Sequence, residues 1–224
     1  MRGIIINTQF LVKSNFAAII LLAILSLSGF VTVSRDFIGN FYRRRKKFEV
    51  FELSYDRVKN IKSVLASMSV PFTFEIAVSQ LGKDKACYIA ASGRGAKRVM
   101  DKFGGRKIDD YDLFYPGGAI LGAYASGKGS LKDLNAEVID FSEVNEIGEG
   151  AVVQFVFKRK SRNRYIANVR ALVSAPSSYQ AKEILGRIKS SLAGLKLTDV
   201  RNEEFIDRVN SRAFDNKESI ALSP

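Results

Sequence analysis

The hydrophobic pattern of the chain begins with a long uncharged segment near the amino terminus. Between Lys13 and Arg35 lie 21 residues without a charge, reading SNFAAIILLAILSLSGFVTVS. A helix rises about 1.5 Å per residue, so this segment is long enough to cross a hydrocarbon layer of about 30 Å. No polar face interrupts it, which disfavours a helix buried in a globular core. The pattern therefore predicts one transmembrane helix within residues 1–35.

Beyond the span, strand-like alternation and helical periodicity follow one another. The predicted strands are residues 48–54, 72–81, 85–92, 119–125, 151–160 and 165–175. The first predicted helix follows a cap at Ser54 or Asp56 and runs through Met68, and the other predicted helices are residues 94–103, 179–195 and 203–214. Strands and helices joined by hairpins rather than crossovers indicate an α+β fold with mostly antiparallel sheets and covering helices. We expect two ferredoxin-like halves, with the helices over one face of the sheet.

These elements divide the chain into five segments. They are an N-terminal tail and transmembrane helix (1–35), a basic juxtamembrane neck (36–47), a first α+β unit (48–105), an irregular connecting region (106–150), and a second α+β unit with a C-terminal helix (151–224). The middle segment has the least regular pattern of the five.

Positive charge is concentrated beside the predicted span. The 224 residues carry 35 Lys and Arg against 23 Asp and Glu, a formal net charge of +12, and residues 1–47 alone hold eight of the cations and one acid. Excess Lys and Arg stay on the cytoplasmic side of a membrane segment. The neck therefore predicts a single-pass protein of the inner (plasma) membrane, with its N-terminus out and its folded part cytoplasmic. The alternative is a cleaved signal peptide ending near Ser26-Leu27-Ser28, although signal h-regions are shorter than this span.

Two basic clusters are candidates for contact with phosphate groups. The first is the neck cluster of Arg43, Arg44, Arg45, Lys46 and Lys47, where each cation near an anionic membrane gains about 1 kcal/mol. The second lies on a predicted hairpin turn and comprises Lys158, Arg159, Lys160, Arg162 and Arg164. Stacking aromatics other than Tyr165 are missing there, so a base-reading surface is unsupported. The alternative for the second cluster is a solvated turn that blunts a sheet edge.

Catalytic and metal-binding chemistry has little support in the sequence. The chain has no His and one cysteine, Cys87, which removes the commonest general base and the usual zinc sites. The segment Gly122–Ser130 matches the GxxxxGK of a phosphate-binding loop, but Gly129 stands where the Mg²⁺-ligating Ser or Thr belongs. The acids within residues 109–112 lack the glycine and the spaced Glu of a calcium loop. We expect no enzyme, no cofactor and no metal, with a degenerate P-loop protein as an alternative.

A series of short motifs along residues 36–220 resembles one family. The motifs are FEVFELS at residues 48–54, Phe72-Thr-Phe-Glu-Ile76, Tyr115-Pro116, Gly148–Gln154, Ala181–Leu185 and Phe214–Ile220. In this order they resemble the N-terminal, membrane-anchored domain of HerA/FtsK-like, conjugation-type ATPases associated with type IV secretion. In that family the motor domain follows this region, and none of its catalytic residues lies in this chain.

The resemblance implies a non-enzymatic anchor. Its cytoplasmic domain would dock a translocation ATPase or another secretion-complex subunit, with nucleic acid engaged only indirectly and self-association left open. The alternative from a different class is a basic membrane-surface module that binds nucleic acid or anionic lipid. Salt dependence separates the two, because phosphate contacts weaken steeply with added salt.

Overall fold

The structure, a computed structural model, describes residues 48–54, 58, 61–78, 85–111, 117–131, 134, 136–161 and 164–223. All of these belong to one unit of the chain. The predicted transmembrane helix and the neck cluster, Arg43 to Lys47, lie outside the described residues. Within the described ranges, no helix is both long enough and apolar enough to span a bilayer.

The described residues form nine strands and four α-helices. The strands are β1 (Glu49–Leu53), β2 (Phe72–Val78), β3 (Ala86–Ala91), β4 (Arg106–Ile108), β5 (Ala119–Ser130), β6 (Gly150–Ser161), β7 (Arg164–Ala175), β8 (Lys196–Val200) and β9 (Ser219–Ser223). The helices are α1 (Ile61–Ser67), α2 (Arg94–Phe103), α3 (Ser178–Ser191) and α4 (Glu203–Asn210), and a short 3-10 helix covers Ala136–Val138. The predicted α+β class is confirmed.

The nine strands make one mixed sheet in the order β4-β1-β3-β2-β6-β7-β9-β5-β8, and β5 also pairs directly with β7. Every pairing is antiparallel except that of β5 with β9. In the first half, β1-α1-β2-β3-α2-β4 has the spatial order β4-β1-β3-β2, which is the order of a split βαβ unit. In the second half, β5 to β8 repeat that order as β8-β5-β7-β6. There the 3-10 helix stands between β5 and β6, where the first half has α1.

The two halves join where β2 pairs with β6, from Phe72 opposite Phe157 to Val78 opposite Ala151. Within this pairing both strands are buried on both faces, which explains why these residues are almost continuously apolar. The Phe72 and Phe157 ring centroids lie 5.2 Å apart across this junction. The aromatic contacts make the junction part of the core.

The first face of the sheet is covered by α1, α2 and α3, whose apolar residues share one core cluster. Helix α3 begins after Ser177, whose side chain accepts a hydrogen bond from the Gln180 backbone N–H and so caps the helix. It buries Ala181, Ile184, Leu185 and Ile188, which recur at helical spacing.

The second face is covered by α4, so the expectation that the helices share one face is wrong for this helix. Asn202 caps it, accepting a hydrogen bond from the Phe205 N–H at 2.7 Å. Phe205 and Val209 then pack on a second, smaller cluster that includes Val152 and Leu172. The physical reason is that the odd and even positions of the central strands are both largely apolar, leaving two faces to cover.

Three strands were not predicted, namely β4, β8 and β9. Strand β4 has three residues, and the five-residue strands β8 and β9 show no clear alternation of apolar and polar positions. Helix α4 also ends at Asn210 rather than at residue 214, and β5 runs on to Ser130, five residues beyond the predicted strand.

Candidate functional site

A row of mostly polar side chains crosses the second face of the sheet. Strand register places them side by side in the order Arg106, Glu52, Tyr88, Glu75, Gln154, Arg170, Tyr124 and Thr198. Neighbours in register lie on the same face of a sheet. The three central side chains, Glu75, Gln154 and Arg170, are at most 1% exposed. A buried polar row of this kind is the first place to look for chemistry.

Arg212 binds the first part of the row. Its Nε lies 2.9 Å from Glu75 Oε1, and its Nη2 lies 3.0 Å from Glu75 Oε2. The same guanidinium donates two bonds of 2.7 Å to the carboxylate of Asp110. Glu75 also accepts hydrogen bonds from the Tyr111 hydroxyl at 2.7 Å and from Gln154 Nε2 at 2.8 Å. The buried carboxylate is therefore fully occupied by donors.

Arg212 occupies an unusual backbone position. The N–H of Arg212 bonds to the carbonyl of Val209, and the N–H of Ala213 bonds to that of Arg208, which is the Schellman ending of helix α4. Glycine usually fills the left-handed position of this motif, but here it is Arg212, with φ of 53°. A left-handed conformation costs a non-glycine residue about 1–2 kcal/mol. The ion pairs of the side chain offset this cost.

Arg170 organises the second part of the row. Its Nε donates to Glu218 Oε2 at 3.0 Å and its Nη1 to the Ala213 carbonyl at 2.7 Å. Glu218 in turn accepts from Arg208 Nη2 at 2.6 Å. Gln154 Nε2 also donates to the carbonyl of Val209, at 2.8 Å. The last carbonyls of a helix lack partners within it. The sheet side chains thus supply donors to the end of α4 and to the segment after it.

The charges of this cluster shift several pKa values. Burial alone would lower the pKa of Arg212, but its hydrogen bonds to Asp110 and the charge of Glu75 raise it above the ordinary value. Burial, with the negative charge of Glu75, raises the pKa of Tyr111 well above its usual range. Burial lowers the pKa of Arg170, and Glu218 opposes that effect. Arginine stays protonated in proteins, so neither guanidinium is a proton acceptor.

This ion cluster therefore fastens the α4 region to the sheet rather than exposing reactive groups. Sequence reasoning missed it. The sequence pattern that could have revealed it is one charged or amide residue within an otherwise apolar strand. Examples are Glu75 in FTFEIAV and Gln154 in AVVQFVF. Arg212, by contrast, lies in a segment predicted to be helical.

The sequence-predicted acidic and Gly-rich candidates take other roles. Among the described residues, no group of three or more potential ligands is placed to hold a metal ion. Of the acids within 109–112, Asp110 pairs with Arg212. The segment Gly122–Ser130 lies in the extended strand β5, and a Cβ at Gly122 would collide with the Phe205 ring. A phosphate loop must curl around its anion and lead into a helix, and an extended strand does not. The segment Gly122–Ser130 therefore does not have the conformation that the P-loop alternative requires.

The predicted second basic cluster lies at the end of the β6–β7 hairpin. Lys158, Arg159, Lys160 and Arg164 are all exposed, and Arg162 lies outside the described residues. Across the sheet, Lys158 of β6 pairs with Ile166 of β7, and Ile166 pairs with Ala221 of β9. Ala221 in turn pairs with Lys128 of β5, which is exposed. The Lys158 ammonium lies 5.1 Å from the Phe214 ring, on the second face, whereas Arg159 lies 6.0 Å from Tyr165 on the first. Strand alternation places Lys128, Lys158 and Arg164 on one face.

A second exposed feature is a corner formed by the loop before β6 and the start of α3. Glu146 Oε2 accepts a hydrogen bond from Gln180 Nε2 at 2.6 Å, which holds the two segments together. Beside these residues, Ile147 is 70% exposed and Tyr179 is 69% exposed. Large apolar side chains so exposed in adjacent segments are typical of interaction surfaces. We call Glu146, Ile147, Tyr179 and Gln180 the exposed corner.

Comparisons with known proteins add no assignment: no protein-family model matches the chain, and no curated protein matches it at a significant level.

Proposed function

We propose that the chain is a non-enzymatic, single-span inner-membrane protein whose cytoplasmic α+β domain docks a translocation ATPase of the type IV secretion or conjugation type. In this proposal the predicted span within residues 1–35 is the tether, and the folded part consists of two ferredoxin-like halves. The exposed corner is the docking surface. The motif order described above supplies the class of partner.

The observation that supports docking is the composition and exposure of the corner. Tyr179 offers a large, rigid side chain that loses little conformational entropy on binding. Ile147 is equally exposed and follows Glu146, which is bonded to Gln180 next to Tyr179 in the sequence. Two segments with motifs of the resemblance, Gly148–Gln154 and Ala181–Leu185, begin within two residues of these side chains. The Glu146–Gln180 bond fixes the corner before any partner binds, which lowers the entropic cost of association.

Site-specific photocrosslinking tests this docking proposal. A photoreactive benzoylphenylalanine replaces Tyr179 in the full chain, expressed in its native membranes, and crosslinked products are identified by mass spectrometry. The matched control carries the same group at Met100 on α2, which is 47% exposed. We expect an ATPase with Walker motifs to be captured from position 179 and not from position 100. Equal capture from both positions, or no ATPase from position 179, overturns the proposal.

A second candidate function is supported by the hairpin end. Lys128, Lys158 and Arg164 present three exposed cations on one face, as a module that binds nucleic acid or anionic lipid would require. Each phosphate contact steepens the salt dependence of the binding constant. This surface is separate from the exposed corner, so the two functions are tested independently.

Fluorescence anisotropy with a short DNA duplex tests the second candidate. The full chain in a neutral detergent is titrated at several salt concentrations, and anionic nanodiscs serve as competitors. If the hairpin is the contact, the double variant Lys158→Glu/Arg164→Glu flattens the salt slope by about two, one for each lost phosphate contact. The control double variant Lys97→Glu/Lys102→Glu on α2 leaves the slope unchanged. Identical slopes for both double variants exclude the hairpin.

A further inference from the structure

A small cleft lies between helix α3 and the edge strand β8. Its volume is about 250 Å³. Helix α3 contributes Lys182, Gly186 and Lys189, and the β8 side contributes Asp199 and Arg201. Three cations face one carboxylate, so the lining carries a net charge of +2. Neither the exposed corner nor the hairpin end includes these residues.

Among the described residues, neither close packing nor a left-handed backbone explains a glycine at position 186. It lies in the interior of α3, where glycine costs about 1 kcal/mol relative to alanine. A Cβ built at this position meets no heavy atom within 4 Å, and the backbone is not in a left-handed conformation. The fold would therefore gain from a side chain here. The missing side chain instead leaves open the wall of the cleft.

The cations of the cleft differ in whether they form an ion pair. Lys189 Nζ lies 2.7 Å from Asp199 Oδ1, so one positive charge is already balanced. Within the described part of the chain, neither Lys182 nor Arg201 has an ion-pair partner. Lys182, Gly186 and Lys189 fall at i, i+4 and i+7 on one side of the helix, so the gap at Gly186 lies between two cations. A tetrahedral anion seated at the gap would lie between these ammonium groups.

We propose that this cleft binds a small ligand through its phosphoryl group, with Lys182 and Arg201 as the principal charged contacts. Ligand clefts for drug-sized molecules usually span about 300–1,000 Å³, so this cleft suits a headgroup-sized or triose-sized ligand rather than a nucleotide. Charge-assisted hydrogen bonds to phosphoryl oxygens are short and strong. Asp199 holds Lys189 in place and opposes the anion, which sets a moderate affinity. The inference goes beyond the proposed docking function and does not depend on it.

Phosphorus NMR of glycerol 3-phosphate, titrated with the full chain in a maltoside detergent, tests the cleft. We expect a saturable change in the phosphorus resonance. Lys182→Glu and Arg201→Glu each weaken binding by about tenfold, the size of one charge-assisted hydrogen bond. Asp199→Asn strengthens binding, because it removes the repelling carboxylate and frees Lys189. The matched control, Lys97→Glu on the exposed side of α2, leaves binding unchanged.

Gly186→Ala separates a binding role from a structural one. Alanine fits without a clash, so the melting temperature rises, yet its methyl group occupies the gap and binding falls. Short-chain phosphatidic acid then identifies the source of the phosphoryl group. Competition by the lipid assigns a membrane headgroup, and its absence assigns a soluble ligand. No saturable change with either probe, or equal losses in Lys97→Glu and Lys182→Glu, overturns the inference.

Discussion

Replacing Arg212 with glycine removes a buried ion pair with Glu75 and a half-exposed one with Asp110. At the same position it relieves a left-handed backbone conformation. Arg212 is 8% exposed and makes four hydrogen bonds to Glu75 and Asp110. Asp110 is 55% exposed in its side chain, so water can replace the arginine there. The Glu75 side chain is only 1% exposed, so water cannot replace the arginine there. The effect of the substitution is therefore concentrated on one carboxylate.

The two contributions have opposite signs. Removing one partner of a buried ion pair costs about 3–5 kcal/mol, because the other charge stays buried and unpaired. Glycine at φ of 53° recovers about 1–2 kcal/mol of backbone energy. The expected net effect of Arg212→Gly is a loss of about 1–4 kcal/mol in the free energy of unfolding. Adding Glu75→Gln removes the unpaired charge and should recover most of this loss.

Urea unfolding of the full chain in neutral detergent, followed by far-ultraviolet circular dichroism, measures these differences. Arg106→Gln is the control, since Arg106 and Glu52 form an ion pair at the surface and such pairs contribute about 0–1 kcal/mol. If Arg212→Gly is as stable as the wild type or more so, the ion pairs do not fasten the α4 region to the sheet. Failure of Glu75→Gln to restore stability would refute the assignment of the cost to the buried carboxylate.

The remaining predictions concern two glycines and the buried thiol of Cys87. Gly122→Ala should destabilise the fold by about 1–3 kcal/mol, because its Cβ collides with the Phe205 ring, whereas Gly186→Ala should stabilise it. Thermal unfolding compares the two variants, and stability changes of the same sign would contradict the packing described. Burial raises the pKa of the Cys87 thiol to about 12, so a thiol reagent at pH 8 should react only after unfolding. The folded state keeps the proton while the unfolded thiol loses it near pH 9. Stability should thus fall between pH 9 and 12, and less so in Cys87→Ala.

The fold class followed from periodicity because the long strands and helices carry strong patterns. Strands β6 and β7 and helix α3 were predicted to within a few residues, since each buries many consecutive or regularly spaced apolar side chains. Among the described strands, the short β8 pairs with β5 alone, and β9 lies between β5 and β7. Such pairings depend on long-range contacts that no local pattern reveals.

The candidate site was less accessible from the sequence, for a related reason. The exposed hairpin cations form a contiguous run and were found, whereas the buried cluster joins Glu75 to Arg212 across 137 positions. A charged residue alone in an apolar strand signals a buried partner but does not say which one. Likewise Gly186 and Arg201 line one cleft only because α3 folds back beside β8.

The orientation of the folded domain relative to the membrane is the most direct test of the whole account. Green fluorescent protein and alkaline phosphatase, fused separately to the carboxyl end of the full chain in a bacterial host, report the two sides of the inner membrane. We predict fluorescence from the first fusion, no phosphatase activity from the second, and retention of both in the membrane fraction after carbonate washing. An active phosphatase fusion, or release of the chain by carbonate, would contradict a cytoplasmic docking domain tethered by a single span.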